Sequence, residues 1–132
     1  MSDTYLNWVS ENTSTKWWHD SAESAELDLG IERGAVGVTT NPVLSAAALQ
    51  KNRALWSAEI EAVLAQKLPA EAKAEALMRI PVTKAAAKVA GVVCAQVNPL
   101  RAGDRDCMYA MAHRFHAWSQ PRGVRATSVY DV

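Results

Sequence analysis

The sequence predicts an α/β fold in which parallel strands alternate with helices. Two apolar segments, residues 35–38 and 91–97, have the length of buried strands, and the first is rich in β-branched residues. Asparagine and proline follow each segment, and the stretch between them is rich in alanine and leucine, which favour helices. This alternation favours parallel strands joined by right-handed crossovers. The 132 residues are enough for one domain with a hydrophobic core.

Charge and composition argue against several classes of function. The chain has 14 basic and 14 acidic residues, so a net charge near zero gives no long-range attraction for nucleic acid or anionic lipid. No apolar run approaches the length of a membrane span, and no signal-peptide pattern is present. We therefore expect a cytoplasmic protein with neither a nucleic-acid nor a membrane partner. Cys94 and Cys107 fit neither a disulfide framework nor a zinc motif, which predicts buried free thiols.

The first part of the chain predicts an extension, a strand and a helix. Residues 1–16 form the extension, where apolar side chains at helical spacing predict a short helix. The sequence Trp-Trp-His-Asp at residues 17–20 predicts a short buried strand with Asp20 at its exit. Ser21 is the expected cap of the next helix, and Gly34 is its expected left-handed end.

The second predicted strand carries three polar residues to its carboxyl end. Residues 35–38 are apolar, and Thr39, Thr40 and Asn41 follow them directly. Pro42 ends the strand and opens the next helix, because a helix tolerates proline in its first turn. In α/β folds, polar groups at the carboxyl ends of strands are where chemistry takes place.

Helical segments precede and follow the third strand. Residues 43–67 and 70–89 have apolar side chains at helical spacing, with a bend expected at Pro81. The third strand, residues 91–97, ends at Asn98 and proline as the second strand does. A last helix is capped by one of two aspartates and buries one apolar face. The capping candidates are Asp104 and Asp106, and the buried face carries Met108, Met111, Phe115 and Trp118.

A carboxylate, hydroxyl groups and carboxamides follow the three predicted strands. If these strands are parallel neighbours, their carboxyl ends meet at one edge of the sheet. This set of groups suits a polyhydroxylated ligand, because a carboxylate can move a proton while amides hold hydroxyl groups or orient a water molecule. The candidates are Asp20 at the first exit, Thr39, Thr40 and Asn41 at the second, and Gln96 and Asn98 at the third.

The candidates at the first two strand exits and Gln96 also have purely structural explanations. Asp20 could cap the first crossover helix, and the Thr-Thr-Asn sequence could form a strand-to-helix turn. Gln96 could be a satisfied buried amide. His113 and His116 lie three residues apart near Cys107, but no fourth ligand follows at a useful spacing, so surface histidines are expected.

Two long stretches resemble the N-terminal part of the transaldolase family. Residues 17–44, WWHDSAESAELDLGIERGAVGVTTNPVL, resemble the family's first two strands, with the signature Gly-Val-Thr-Thr-Asn-Pro. Residues 92–118, VVCAQVNPLRAGDRDCMYAMAHRFHAW, resemble its third strand and the following helix. The resemblance implies the first three to four units of a (β/α)₈ TIM barrel. It also implies dihydroxyacetone transfer between sugar phosphates of the pentose phosphate pathway, or aldol cleavage, through a lysine Schiff base with no metal or organic cofactor.

The resemblance assigns roles to individual positions. Asp20 matches the acid/base aspartate of the family, and Asn41 matches the asparagine that contacts the dihydroxyacetone moiety, with Thr39 beside it. Gln96 matches a position that is glutamate in many transaldolases and glutamine in fructose-6-phosphate aldolase-like members. The resemblance implies that Gln96 helps to position the catalytic water.

The family's nucleophilic lysine has no counterpart in the sequence. It lies in a pattern like Val-Lys-Ile-Pro-Ala-Thr on the fourth strand, whereas the sequence after Trp118 is SQPRGVRATSVYDV. Arg125 lies nearest to that place, and arginine stays protonated and forms no imine. We therefore expect one truncated barrel domain, with residues 1–16 as an extension and 119–132 as an atypical tail, and little or no transaldolase turnover.

Two alternatives remain open at the level of sequence. One is a non-catalytic half-barrel that self-associates or binds a partner through exposed strand edges and an apolar inner face. The other is a truncated or frame-shifted product of a longer coding sequence.

Overall fold

The computed structural model describes residues 4–89 and 91–119, and the structural statements below concern these residues. They form three strands and six α-helices in the predicted alternation. The elements are α1 Tyr5–Asn12, β1 Trp18–Asp20, α2 Ser24–Glu32, β2 Gly37–Thr40, α3 Pro42–Lys51, α4 Ser57–Leu64, α5 Ala70–Lys88, β3 Val92–Ala95 and α6 Arg105–Ser119, with short 3₁₀ turns at Arg53–Trp56 and Pro99–Arg101.

The three strands form one parallel sheet in the order β1-β2-β3. His19 of β1 pairs with Val38 of β2, which pairs with Val93 of β3. The predicted α/β class with parallel strands is therefore confirmed. Three strands do not close a barrel, so the TIM barrel that the resemblance implies stays a prediction.

Helices pack against one face of this sheet and form the main core with it. Val38 and Val93 lie in the middle of the sheet and are almost completely buried on this side. A smaller cluster around Trp56 and Ile60 joins α4 to α5. The main core consists of Leu27, Val38, Met78, Val82, Ala85, Ala86, Val89, Val93, Val97, Met111 and Phe115.

The opposite face of the sheet stays open in the part of the chain that the structure describes. The row His19, Val38 and Val93 points toward the helices. Because side chains alternate along a strand, the opposite face carries the residues directly before and after that row. We call it the open face. Two rows of paired residues define it, Trp18, Gly37 and Val92 in one and Asp20, Thr39 and Cys94 in the next.

The prediction that the tryptophans form a buried strand is wrong. Trp18 is 38% exposed, because β1 is an edge strand and this side chain projects from the open face. Its ring lies across Gly37, where a Cβ atom would approach Trp18 Cε3 to 2.6 Å. Because residue 37 has no side chain, the Trp18 indole can pack directly against its backbone.

The predicted cap of α2 is also wrong. The chain stays extended through Glu23, whose carboxylate accepts a hydrogen bond from the Glu26 N–H at 2.9 Å and caps the helix. Ser21 instead accepts from the Glu23 N–H and donates to the Glu26 carboxylate. At the other end of α2, Gly34 has a φ of +83°, as the predicted left-handed end requires.

The remaining helices follow the sequence pattern with one interruption. Asn52 divides the segment predicted as helix at residues 43–67, so that α3 ends and a 3₁₀ turn precedes α4. Pro42 begins α3 and Pro81 lies inside α5, both as predicted, while the bend at Pro81 stays a prediction. Asp104, the first of the two candidate caps of α6, accepts from the Cys107 N–H.

Some predicted features lie outside the described residues. These are the side chain of Trp118, Arg125, and the predicted atypical tail beyond Ser119.

Candidate active site

Asp20 and Thr39 meet at the carboxyl end of the open face. The Thr39 hydroxyl donates to Asp20 Oδ1 at 2.6 Å, within the short range of hydrogen bonds to a carboxylate. The parallel register pairs the two residues directly, so both side chains project from the same face. The Asp20 side chain is exposed, which leaves its second carboxylate oxygen accessible to a ligand.

Gln96 extends this arrangement from the third strand. Its backbone N–H donates to the Thr40 carbonyl at 3.1 Å, so β3 keeps its register with β2 for one residue beyond Ala95. The alternation of the strand places Gln96 on the same side as Cys94, and its side chain is exposed. A carboxylate, a hydroxyl and a carboxamide thus lie at the carboxyl ends of three neighbouring strands.

The other three predicted residues use their polar groups within the chain. Thr40 is buried on the helix side, and its hydroxyl donates to the Cys94 carbonyl at 3.4 Å. Asn41 Oδ1 accepts from the Leu44 N–H at 2.8 Å and caps α3 at the rim of the site. Asn98 Nδ2 donates to Glu71, away from the open face, and Asn98 Oδ1 accepts from the Leu100 N–H.

Cys94 is a neighbour of this site that we did not predict from the sequence. It pairs with Thr39 in the register row that contains Asp20, and it is half-buried. Burial raises the pKa of its thiol, so a neutral sulfhydryl group lies on the strand next to Thr39 at neutral pH. Both cysteines are free, as expected, but the expectation that they are buried is wrong, since Cys107 is half-buried as well. The position of Cys94, two residues before Gln96 in a strand, was the available signal.

A buried carboxylate fixes the loop that follows Asp20. Burial would raise the pKa of Glu23, but hydrogen bonds from the Glu26 and Ala25 N–H groups, the charge of Lys51 and a hydrogen bond from Asn52 together lower it. Asn52 donates to Glu23 Oε1, and Lys51 Nζ lies 3.8 Å from Glu23 Oε2. These contacts therefore hold the loop after Asp20 against the end of α3. No local pattern in the sequence predicts this contact, because Glu23 and Asn52 are 29 positions apart.

Within residues 4–89 and 91–119, no group of three or more His, Cys, Asp and Glu side chains is placed to hold a metal ion.

None of the helices described is long and apolar enough to span a membrane.

The family model of transaldolase/fructose-6-phosphate aldolase matches residues 17–126, which include all three strands and the residues of the open face. The chain belongs to this family. The resemblance seen in the sequence is thereby confirmed, and the family is one of sugar-phosphate aldolases. A comparison with curated proteins gave no match.

In this transaldolase-family chain, all six lysines lie in the part that the structure describes, and none lies on a strand. Lys16 precedes β1, where its ammonium group donates to the Ser10 carbonyl. Arg79, in a sequence that superficially resembles the family's lysine strand, lies within α5, in the segment 70–89 that the sequence predicts to be helical. The described residues of the open face therefore present carboxylate, hydroxyl and amide groups but no lysine amine. The six are Lys16, Lys51, Lys67, Lys73, Lys84 and Lys88.

Proposed function

We propose that the open face binds the dihydroxyacetone part of a sugar phosphate at the ends of the three strands. The observation that carries this proposal is the hydrogen bond between Thr39 and Asp20 beside the Gln96 exit. Membership of the transaldolase/fructose-6-phosphate aldolase family supports a substrate of this class. The bound molecule then meets a carboxylate, a hydroxyl and a carboxamide on one side.

The proposed roles follow from the chemistry of each group. Asp20 transfers a proton to or from a substrate hydroxyl, and Thr39 holds the carboxylate in place through its hydroxyl group. Gln96 positions a water molecule, since its amide both donates and accepts hydrogen bonds. Asn41 contacts the ligand at the rim through its amide nitrogen. Direct ligand contacts of Thr40 and Asn98 remain predictions, because their polar groups already have partners within the chain.

The chain on its own is proposed to bind this ligand without forming a Schiff base. An imine with a sugar carbonyl needs a lysine amine close to the carbonyl carbon. The six lysines lie on helices, in the loop between α4 and α5, or before β1, and most of their ammonium groups are held by carboxylates or backbone carbonyls. Aldol turnover is therefore expected to be absent from this chain as its sequence stands.

Borohydride trapping tests the absence of the imine. The chain is incubated with fructose 6-phosphate, reduced, digested and analysed by mass spectrometry. We expect no specific adduct on any of the six lysines beyond the background found when inorganic phosphate and glycerol replace fructose 6-phosphate. One lysine modified in a saturable manner by fructose 6-phosphate would contradict this part of the proposal.

Calorimetry tests the binding itself. Titration with fructose 6-phosphate should give a measurable affinity in the wild type. Asp20→Asn should weaken it at least about tenfold, the cost of a hydrogen bond to a charged group. Asp106→Asn is the matched control, because Asp106 is exposed in the first turn of α6, and it should bind as the wild type does. Equal affinity of Asp20→Asn and the wild type would refute the assignment.

The competing function is that of a non-catalytic half-barrel which associates through its sheet. The exposed indole of Trp18 and the position of β1 and β3 at the outer edges of the three-stranded sheet favour it. This function predicts association that Trp18→Ala weakens, together with no saturable binding of fructose 6-phosphate.

A further inference from the structure

A large apolar groove lies on the helical side of the molecule, away from the open face. It has a volume of about 820 Å³ and lies between α3, α4, α5 and α6, with Pro42 and Leu100 at the carboxyl end of the sheet. We call it the helical groove. Leu49, Leu77 and Met111 are among its apolar lining residues. Its size is that of a site for a small ligand or a few large side chains.

The same chain presents an aromatic pair that nothing covers in the described residues. Tyr5 and Trp8 of α1 are 76% and 55% exposed, and their rings stack with centroids 6.4 Å apart. We call this pair the α1 knob. Tyrosine and tryptophan are typical anchors of protein interfaces.

Hydrogen bonds hold the α1 knob in a fixed position. Asn7 Nδ2 donates to the Glu32 carbonyl at 3.2 Å, and the Ser10 hydroxyl donates to the Gly34 carbonyl at 3.2 Å. Both acceptors lie between the end of α2 and the start of β2, at the amino end of the sheet. Because α1 is tied down there, presenting the two rings to a partner costs little conformational entropy.

The α1 knob and the helical groove lie at opposite ends of the sheet. The groove opens where Pro42 and Leu100 follow the carboxyl ends of β2 and β3. The knob is anchored beside the residues that precede β2. A chain therefore cannot fill its own groove with its own knob, but two copies arranged head to tail can.

The charges of the two surfaces are complementary. Glu11 is the single charged residue of α1 and lies one turn after Trp8. Among the charged residues that line the groove, Glu71 pairs with Arg101 and Glu75 pairs with Arg114. The remaining charged residue of the groove is Arg53. It gives the groove a net positive charge, which is opposite to the negative charge of α1.

We propose that the α1 knob of one copy inserts into the helical groove of a second copy. The contact is heterologous, so each chain offers one knob and one groove. Repetition gives a closed ring or an open chain of copies. Glu11 of the first copy then lies near Arg53 of the second. This interface is separate from the open face and from the outer edges of the sheet.

Sedimentation of the full chain over a range of concentrations tests this interface. The wild type should associate, and Tyr5→Ala with Trp8→Ala should weaken association more than about tenfold, since anchor residues dominate interfaces. The groove variant, Ala46→Glu with Leu100→Asp, should do the same; both residues are exposed, so the fold survives. Tyr109→Ala is the matched control, because Tyr109 is a 66% exposed aromatic residue outside the groove.

Mixing the two variants decides between this contact and a symmetric one. The knob variant keeps its groove and the groove variant keeps its knob, so together they should form a one-to-one dimer that grows no further. A charge exchange adds a second test. Glu11→Lys and Arg53→Glu should each weaken wild-type association about two- to fivefold, and the double variant should restore it.

Three results would overturn the proposal. A wild type that stays monomeric at all concentrations shows that the two surfaces do not meet. Association that the knob variant leaves unchanged assigns it to another surface, such as the open face. A mixture of the two variants that shows no dimer excludes the head-to-tail contact.

Discussion

At the scale of single residues, the site depends on which face of the strand each side chain occupies. Asp20 and Thr39 were predicted to converge from their positions at strand ends, and they are joined by a hydrogen bond. Thr40 is adjacent in sequence but projects to the buried face, because neighbouring side chains of a strand alternate. Sequence position identified the strand exits, but it did not distinguish the two faces.

Gly37 provides a test of the surface under the site. In Gly37→Ala, the new Cβ would lie 2.6 Å from Trp18 Cε3, so the indole must move. We expect a loss of about 1–3 kcal/mol in the free energy of unfolding in urea, the usual cost of overpacking. Gly103→Ala is the control, since nothing lies within 4 Å of its Cβ position, and it should be neutral or slightly stabilising. Equal stability of the two variants would contradict the contact.

Glu23 gives the protein a defined dependence on pH. Its pKa is lowered from the ordinary value of 4.5, so its contribution to stability is present above that value and is lost as the pH falls through the folded-state value. Glu23→Gln should lower the free energy of unfolding by about 1–3 kcal/mol near neutral pH. The difference from the wild type should shrink below pH 4.5. Urea titrations at several pH values measure this, with Glu61→Gln, on the exposed side of α4, as control. A difference that stays constant with pH would show that the charge of Glu23 is not responsible.

At the scale of elements, hydrophobic spacing and turn residues predicted the order and type of the strands and helices. The errors occur where contacts distant in sequence decide the outcome. Glu23 rather than Ser21 caps α2, and Asn52 ends α3 while donating to Glu23. Trp18 is exposed because β1 lies at the edge of the sheet. The sequence of residues 17–20 does not indicate whether the strand lies at the edge or in the middle. These features are properties of the assembled fold.

Asn41 has both a structural role and a proposed role in binding. It caps α3, and it lies at the rim of the site. Asn41→Ala should cost about 1 kcal/mol of stability, as the loss of an N-cap does. Asn41→Asp keeps the capping oxygen and should preserve stability, while it removes the amide that we assign to the ligand. Thermal unfolding and calorimetry with fructose 6-phosphate separate the two effects. If Asn41→Asp binds as tightly as the wild type, the amide has no role in binding.

At the scale of the whole molecule, the chain is a transaldolase-family domain with a covered face and an open face. The covered face holds the hydrophobic core, and the open face carries the acid/base and hydrogen-bonding groups of the candidate site. The family was predictable from the sequence because the strand exits and their spacing are local features. The helical groove was not, since four helices distant in sequence contribute to it.

A backbone amide NMR titration with fructose 6-phosphate tests the central claim most directly. The open-face site predicts saturable shifts that are largest at Asp20, Thr39 and Gln96, and that are absent with inorganic phosphate alone. Shifts centred on the residues of the helical groove, or no saturable shifts at any residue, would contradict the sugar-binding role of the open face.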